Sequence, residues 1–445
     1  MSEIQDNFIT RINGEDTIFR ILFFNAKYIN GISLESLINL DIEENINSPF
    51  YKGILTIKNE NNVFDTSKEY SMPTSEIFKY EFLEAGENYI HVEIQNEYTK
   101  KQYTFNIIEE YISIENSIKA KNFVLIDIHL WYMLNNKVNF SSAFLLDKDA
   151  SQLSNNDRMT DTSQTIKKLI KDHVSDLSIN EEQWDKSKTK TFYSSNYNDS
   201  ILHTLNAILE NTLDDNNDNM LLLKRNNKFS LFSFSKLYKD FLKNNYTYNY
   251  GGTFSLASDS NSAETQSSFN SIKVKDYSIY NEDNKNTTTE LINYKVHNYN
   301  NVDKRFSIYN KNNNIKSTVE YLENNILNNK IIIDRKDNPN IEKNKYYNSY
   351  YSTSDDKNII ENEGKQEIIK NLINYTTALN LQTTGMYSID TGNFIVINND
   401  NAIFNKNLRK LNGGWFVTGF KHTFTIDSFN TEIACTKFYD LKKDE

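Results

Sequence analysis

Between Ile18 and Ile114 apolar and polar residues alternate with a period of two, the spacing of a strand that turns one face to a core. Ile38, Leu40 and Ile42 stand against Asn39, Asp41 and Glu43, and Ile90, Val92 and Ile94 against His91, Glu93 and Gln95. Tyr103, Phe105 and Ile107 continue the pattern. Asn47 to Gly53 and Glu84 to Asn88 read as turns between these strands. Several short strands in about a hundred residues predict a small barrel or sandwich.

The pattern then changes. Phe123 to Met133 is a longer apolar run and reads as a strand. Asp161, with Gln164 three positions on, predicts a capped helix that carries Ile166, Leu169, Ile170 and His173. A second helix is expected after Asn198 or Asp199, with Ile201, Leu205, Ile208, Leu209 and Leu213 on one stripe. The polar turn Asp214 to Asn219 leads into two strands, Met220 to Leu223 and Phe229 to Phe234. Residues 241–268 are rich in Tyr, Ser and Gly without clear period, and residues 281–363, dominated by Asn, Lys, Tyr and Asp, read as a long surface insertion despite strand-like pieces such as Ile331 to Ile333. A third helix is expected over Gln366 to Leu379, followed by strands at Phe394 to Ile397, Trp415 to Phe424 and Thr431 to Phe438.

Composition supports β over α: aromatics are 13% of the 445 residues, with 28 Tyr and 27 Phe, which pack well on pleated surfaces. With 12 Gly and 3 Pro, the turns are written in Asn, Asp and Ser instead. The net charge of −11, with no run of Lys and Arg among aromatics, argues against a sequence-independent grip on nucleic acid. The single cysteine, Cys435, leaves no internal disulfide, which fits a reducing cytoplasm. Met1 to Asn13 lacks the basic start and apolar stretch of a signal peptide, and the apolar runs at Ile18 to Phe24 and Phe123 to Leu134 are broken by Arg20 and by Asp127 and His129. They fall short of the roughly 20 residues that a membrane span needs, so no membrane insertion is expected.

Candidate chemistry is sparse. The six histidines, at 91, 129, 173, 203, 297 and 422, show no metal-ligand spacing, and those in strands read as hydrogen-bonded structural residues. Asp214, Asn216 and Asp218 open like a calcium loop, but Asn219 stands where Gly is needed and Arg225 where Glu is needed. Asn412-Gly-Gly414 reads as a hairpin signal, and neither it nor Gly251-Gly252 opens a phosphate-binding helix. Cys435 sits in a strand, a poor place for a nucleophilic thiolate. No catalytic, cofactor-binding or metal-ligating residue is assigned, and no enzyme activity is expected.

The last eighty residues or so carry a resemblance: the expected helix, then Leu381-Gln-Thr-Thr-Gly385-Met-Tyr, Gly392-Asn-Phe-Ile-Val-Ile397, Leu411 to Phe424 and Phe429-Asn-Thr-Glu-Ile433. This succession resembles the C-terminal barrel of the tail baseplate hub proteins of contractile-tailed phages and of phage-derived injection machines. Ser36 to Ile42, Ser48 to Ile57 and Ala85 to Ile94 resemble the hub's first barrel, and Asn198 to Asn211 with Met220 to Leu231 its middle unit. The chain departs from the pattern at Asp390-Thr-Gly392-Asn393, where the family commonly has a Pro and a Gly-Asp pair, and in the Asn-rich insert.

The resemblance implies a β-rich α+β fold: two small antiparallel β-barrel domains with an α/β middle unit, the C-terminal barrel segment preceded by a helix. The expected units are residues 1–115, the first barrel; 116–240, the middle unit; and 241–445, the second barrel region with the insertion at about 281–363. It further implies a homotrimeric ring that links the sixfold tail tube, or a tube-initiator protein, to the threefold central spike, touches baseplate wedge proteins and lets DNA pass without specific binding. The setting would be the virion's tail baseplate, assembled in the host bacterial cytoplasm, and no cofactor is implied. Two other functions stand beside it: a glycan- or receptor-binding tail protein, suggested by the Tyr and Asn content, and a tail-associated peptidoglycan hydrolase.

Overall fold

The computed structural model describes, apart from short breaks, residues 9–65, 88–141, 160–233, 250–256, 271–280, 293–312, 348–352, 378–397 and 411–439. The first unit is strand apart from a 3-10 turn at Leu34–Ser36: β1 (Ile9–Ile12), β2 (Glu15–Phe24), β3 (Ile29–Ile32), β4 (Leu37–Asn45), β5 (Ser48–Lys58), β6 (Phe64–Asp65), β7 (Tyr89–Gln95), β8 (Lys100–Glu115) and β9 (Ile118–Asp127). The middle comprises α1 (Ile128–Asn135), β10 (Thr160–Asp161), α2 (Thr162–His173), β11 (Ser178–Trp184), β12 (Lys190–Thr191), α3 (Ile201–Glu210), β13 (Met220–Arg225) and β14 (Lys228–Ser233). The last third returns to strand: β15 (Tyr250–Leu256), β16 (Ser271–Tyr280), β17 (Asn293–Asn300), β18 (Arg305–Asn312), β19 (Asn348–Ser352), β20 (Ala378–Thr384), β21 (Phe394–Ile397), β22 (Gly413–Phe424) and β23 (Phe429–Tyr439). The architecture is mostly antiparallel β-sheet with few helices, the β-rich α+β class expected.

Fifteen strands form one sheet in the order β21-β15-β16-β20-β23-β22-β4-β5-β9-β8-β7-β2-β3-β6, with β1 on β2. A further pairing of β21 with β22 closes the first six into a ring of strands. In that ring β15 runs parallel to both β16 and β21, and the remaining pairings are antiparallel. The antiparallel pairing of β22 with β4 joins the ring to the N-terminal strands. Three apolar clusters form the cores, and each seam between them is bridged by an aromatic residue from the neighbouring unit. Phe424 and Phe429 of β22 and β23 lie in the N-terminal core, and Phe50 of β5 lies in the middle one.

The period-two reading holds for Leu40 and Ile42, which are buried, but β4 carries a register shift between Leu37 and Asn39. At this bulge Leu37 takes the core position expected for Ile38. In β7 both faces are covered, so His91 and Glu93 are buried along with Ile90, Val92 and Ile94. The expected turn at Asn47 to Gly53 is strand from Ser48 onward, since Asn45 pairs directly with Ser48. The apolar run from Phe123 is not one strand: β9 ends at Asp127, whose carboxylate accepts the His129 N–H at 2.8 Å and starts α1. Asp161 caps α2 as expected, accepting from the Ser163 N–H at 2.8 Å, whereas the hydroxyl of Ser200, rather than Asn198 or Asp199, accepts the His203 N–H at the start of α3.

Ala378 and Leu379, expected to close a helix, begin β20 instead; residues 366–377 lie outside the described residues, as does most of Glu84 to Asn88. Part of the expected surface loop at 281–363 is strand: β17 pairs antiparallel with β18 and parallel with β19 in a separate three-stranded sheet. Ile331 to Ile333 lie outside the described residues.

Candidate functional site: two buried lysines at the seams

The groups with the most altered chemistry sit where the units meet. Lys224 follows the apolar run Met220 to Leu223 of β13, and tertiary packing leaves it 4% exposed. Its ammonium donates to Asp127 Oδ2 at 2.6 Å, to His129 Nδ1 at 2.9 Å and to the Tyr51 hydroxyl at 3.4 Å, one acceptor for each of its three protons. The Tyr51 ring lies 4.5 Å beneath the ammonium, and Phe50 makes a T-shaped contact with Phe229 at 5.7 Å. Accepting at Nδ1 fixes His129 as a neutral ring protonated at Nε2, and burial together with Lys224 lowers its pKa to about 4. Burial alone would raise the Asp127 carboxyl, but the Lys224 ammonium, with the His129 backbone N–H bonded to the same carboxylate, outweighs it and holds it at about 2.

Burial also lowers the Lys224 ammonium, so both partners shift the same way. The 2.6 Å contact and the complete set of acceptors favour the ion pair, which is the direction set by Asp127. Asp127 therefore both caps α1 and anchors β13 to the N-terminal sheet.

At the second seam, Lys101 of β8 donates to the Ile389 carbonyl at 3.2 Å and to Asp390 Oδ1 at 3.1 Å, in the loop between β20 and β21. That loop turns at Gly392, whose φ of 77° is left-handed. The Thr391 hydroxyl donates to the buried carboxylate of Glu44 on β4. Burial opposes the charge on Lys101, but Tyr103, Asp390 and Glu44 outweigh it and raise its pKa. Burial pushes the neighbouring Tyr103 phenol up to about 12. Thr423 and Lys421 of β22 add contacts to Asp41 at 2.7 and 3.0 Å.

The residues singled out from sequence are scattered among the cores. His91 Nδ1 pairs with the Thr104 hydroxyl at 2.9 Å and His422 Nδ1 with the Thr431 hydroxyl at 3.0 Å, each across a strand pair. Burial lowers His91 to about 4 and His422 well below its usual value. Cys435 lies in the C-terminal core with its thiol pushed up by burial. Asp214 accepts from the Ser233 hydroxyl, and Asn216 and Asp218 lie outside the described residues. Among the described residues no group of three or more His, Cys, Asp or Glu side chains is placed to hold a metal, and no helix is long and apolar enough to cross a membrane.

Both lysine clusters were missed in the sequence. Asp127 and His129 stood out as breaks in an apolar run, yet Lys224 lies 97 residues from Asp127, and Asp390 lies 289 from Lys101. What the arrangement does is join elements far apart in sequence through buried charge-assisted hydrogen bonds. It fixes three units against one another.

No protein-family model matches the sequence, and no curated protein matches it. Solved structures do. The 43 kDa tail protein of prophage MuSo2 from Shewanella oneidensis aligns over 94% of this chain and 98% of its own length, with 8% identity and a TM-score of 0.51. A tail protein from Neisseria meningitidis MC58 aligns over 94% and 96%, with 8% identity and a TM-score of 0.49. The likeness to the Shewanella protein is one of fold across nearly the whole of both chains.

Proposed function

We propose that this chain is a structural subunit of a phage-type tail baseplate, the hub that joins the tail tube to the central spike. The observation that carries the reading is the end-to-end fold likeness to the Shewanella prophage tail protein, with 94% of this chain and 98% of that one aligned. The closed ring of β15, β16 and β20 to β23, joined through β22 to the N-terminal strands, is what a chain of two linked barrels would use; the proposed units are residues 1–115, 116–240 and 241–445, with β9 (Ile118–Asp127) pairing back into the first. In this reading three copies close a homotrimeric ring in the virion, the two barrels of each copy giving a near-sixfold rim for the tube and a threefold one for the spike. Wedge proteins surround it, and DNA passes through a lumen that the net charge of −11 keeps from gripping phosphates. The role is mechanical, without catalysis or cofactor, and assembly takes place in the host cytoplasm.

Light scattering on the purified chain, followed by negative-stain imaging, tests this. A mass near three times 52.1 kDa with ring-shaped particles is expected. A monomer that binds a glycan array, or clears peptidoglycan in a zymogram, overturns the reading.

A further inference from the structure

Two surfaces on this chain are opposite in charge. The first is the long strand β8. Its pairing with β7 runs from Gln95 opposite Lys100 to Tyr89 opposite Asn106, the Ile107 N–H donates to the Asn88 carbonyl at 3.4 Å, and from Ile108 to Glu115 its only strand partner among the described residues is β9. Ile112 and Ile114 there are 64% and 74% exposed, and Ile108 and Tyr111 are exposed as well. Such an edge is a template for another chain. At its base lies an open groove of about 420 Å³ lined by Asn106, Ile108, Glu109, Glu110 and Trp131, two carboxylates beside apolar surface with no cation among the described lining residues. Glu110 is bound to Lys121 at 2.9 Å, whereas Glu109 has no ion partner among the described residues.

The second surface is basic, on a chain whose net charge is −11. Lys186, Lys188 and Lys190 alternate with Ser187 and Thr189 in the segment that enters β12, and all three lysines are exposed. The alternation is pinned from beneath. The Ser187 hydroxyl donates to Asp161 Oδ1 at 2.6 Å, Thr189 O accepts from the Thr162 N–H at 3.1 Å, and the Lys188 N–H donates to Leu213 O at 2.8 Å. The backbone that carries the three lysines is thus fixed before anything binds, which reduces the ordering cost of docking.

We propose that the Lys186–Lys188–Lys190 row of one copy docks on the Glu109–Trp131 groove and the Ile112–Ile114 edge of the next. Because donor and acceptor are different surfaces, the contact is heterologous and generates a closed ring or an open filament, not a twofold dimer. Lysine stems lie along Trp131 and Ile108 while their ammonium groups meet Glu109 and Glu110. A second copy of the β8 edge is the poorer occupant, since it brings the same glutamates together. The inference rests on the trimeric reading above and names the surfaces that would close it.

The test is light scattering on four full-length proteins: wild type, Glu109→Lys with Ile112→Lys, Lys186→Glu with Lys190→Glu, and all four substitutions combined. Thermal melts matching wild type serve as the folding control, and Glu109→Gln and Lys186→Gln replace any variant that fails it. The expected result is a trimeric wild type, a threefold drop in mass for each one-sided variant at the same concentration, and recovery of the trimer in the combined, charge-swapped protein. A trimeric wild type whose one-sided variants stay trimeric, or of which only one dissociates, overturns these surfaces while leaving the ring intact. A wild type that is monomeric at every concentration overturns both.

Discussion

Replacing Lys224 with Met tests the first seam at its centre. The substitution keeps the length and apolar bulk of the side chain but removes the cation from Asp127, which is 0% exposed. Removing one partner of a buried pair costs roughly 3–5 kcal/mol, because the remaining charge is stranded. The loss is expected to be local to the segments the pair joins, α1, β9 and β13. In amide hydrogen exchange followed by mass spectrometry, it would read as protection lower by about two to four powers of ten.

Asp127→Asn combined with Lys224→Met removes both charges and keeps a side chain that can cap α1, so most of the protection should return. The pH dependence has a definite sign. In the wild type the Asp127 carboxyl is held at about 2, below its ordinary 3.8, so its stabilisation is complete above about pH 4 and is lost as pH falls toward 2. In Lys224→Met burial acts unopposed by Lys224, and the carboxyl takes up a proton at higher pH. The penalty of the substitution therefore shrinks on acidification. Wild-type exchange in α1 and β13 of the single variant, or a double variant no better protected than the single one, would refute the reasoning.

Three further outcomes follow from the same geometry. His91 is held near 4 by burial while its unfolded counterpart titrates at 6.5, so its contribution is complete above 6.5 and falls away toward 4 as the unfolded chain takes up the proton first; urea midpoints of His91→Gln measured across that window should vary less steeply with pH than those of wild type. A Cβ on Gly385 would lie 1.8 Å from the Phe429 ring, itself stacked 4.3 Å from Phe424, so Gly385→Ala should lower stability by roughly 1–3 kcal/mol in denaturant titration, and an unchanged midpoint would mean that the ring can move aside. Asp390→Asn leaves Lys101 its bond to the Ile389 carbonyl but removes its nearest carboxylate, so exchange in the loop at 385–393 should quicken while β20 and β23 keep their protection.

The local part of this fold was legible. Period two marked Leu40, Ile42 and the core residues of β7, the stripe Ile201, Leu205 and Ile208 marked α3, and Asp161 announced α2 because a cap is a contact within one turn of helix. What escaped depended on partners distant in sequence. Leu37 replaces Ile38 in the core only because β4 bulges against β5, and β7 loses its polar face only because both its sides are covered. The run from Phe123 gave no sign of where strand yields to helix beyond Asp127 itself, whose carboxylate was read as an interruption when it is a cap. Lysine at 224 and at 101 looks like surface until the sheet places a carboxylate against each.

Glu44 ties the two seams together. It receives the Thr391 hydroxyl at the second, and its charge favours the ammonium form of Lys101 and, against the burial that lowers it overall, of Lys224, although those lysines belong to different seams. Two cations thus share three carboxylates, Asp127, Asp390 and Glu44, in surroundings where charges are weakly screened. Loss of any one of the five changes the field at the others, so the energies of the two seams should not add. That coupling runs through β4 and β5, adjacent strands that reach both neighbouring units: β4 through Glu44 and its pairing with β22, and β5 through Phe50 and Tyr51. A buried carboxylate whose field reaches both lysines is a direct way for the parts of one chain to shift together or not at all.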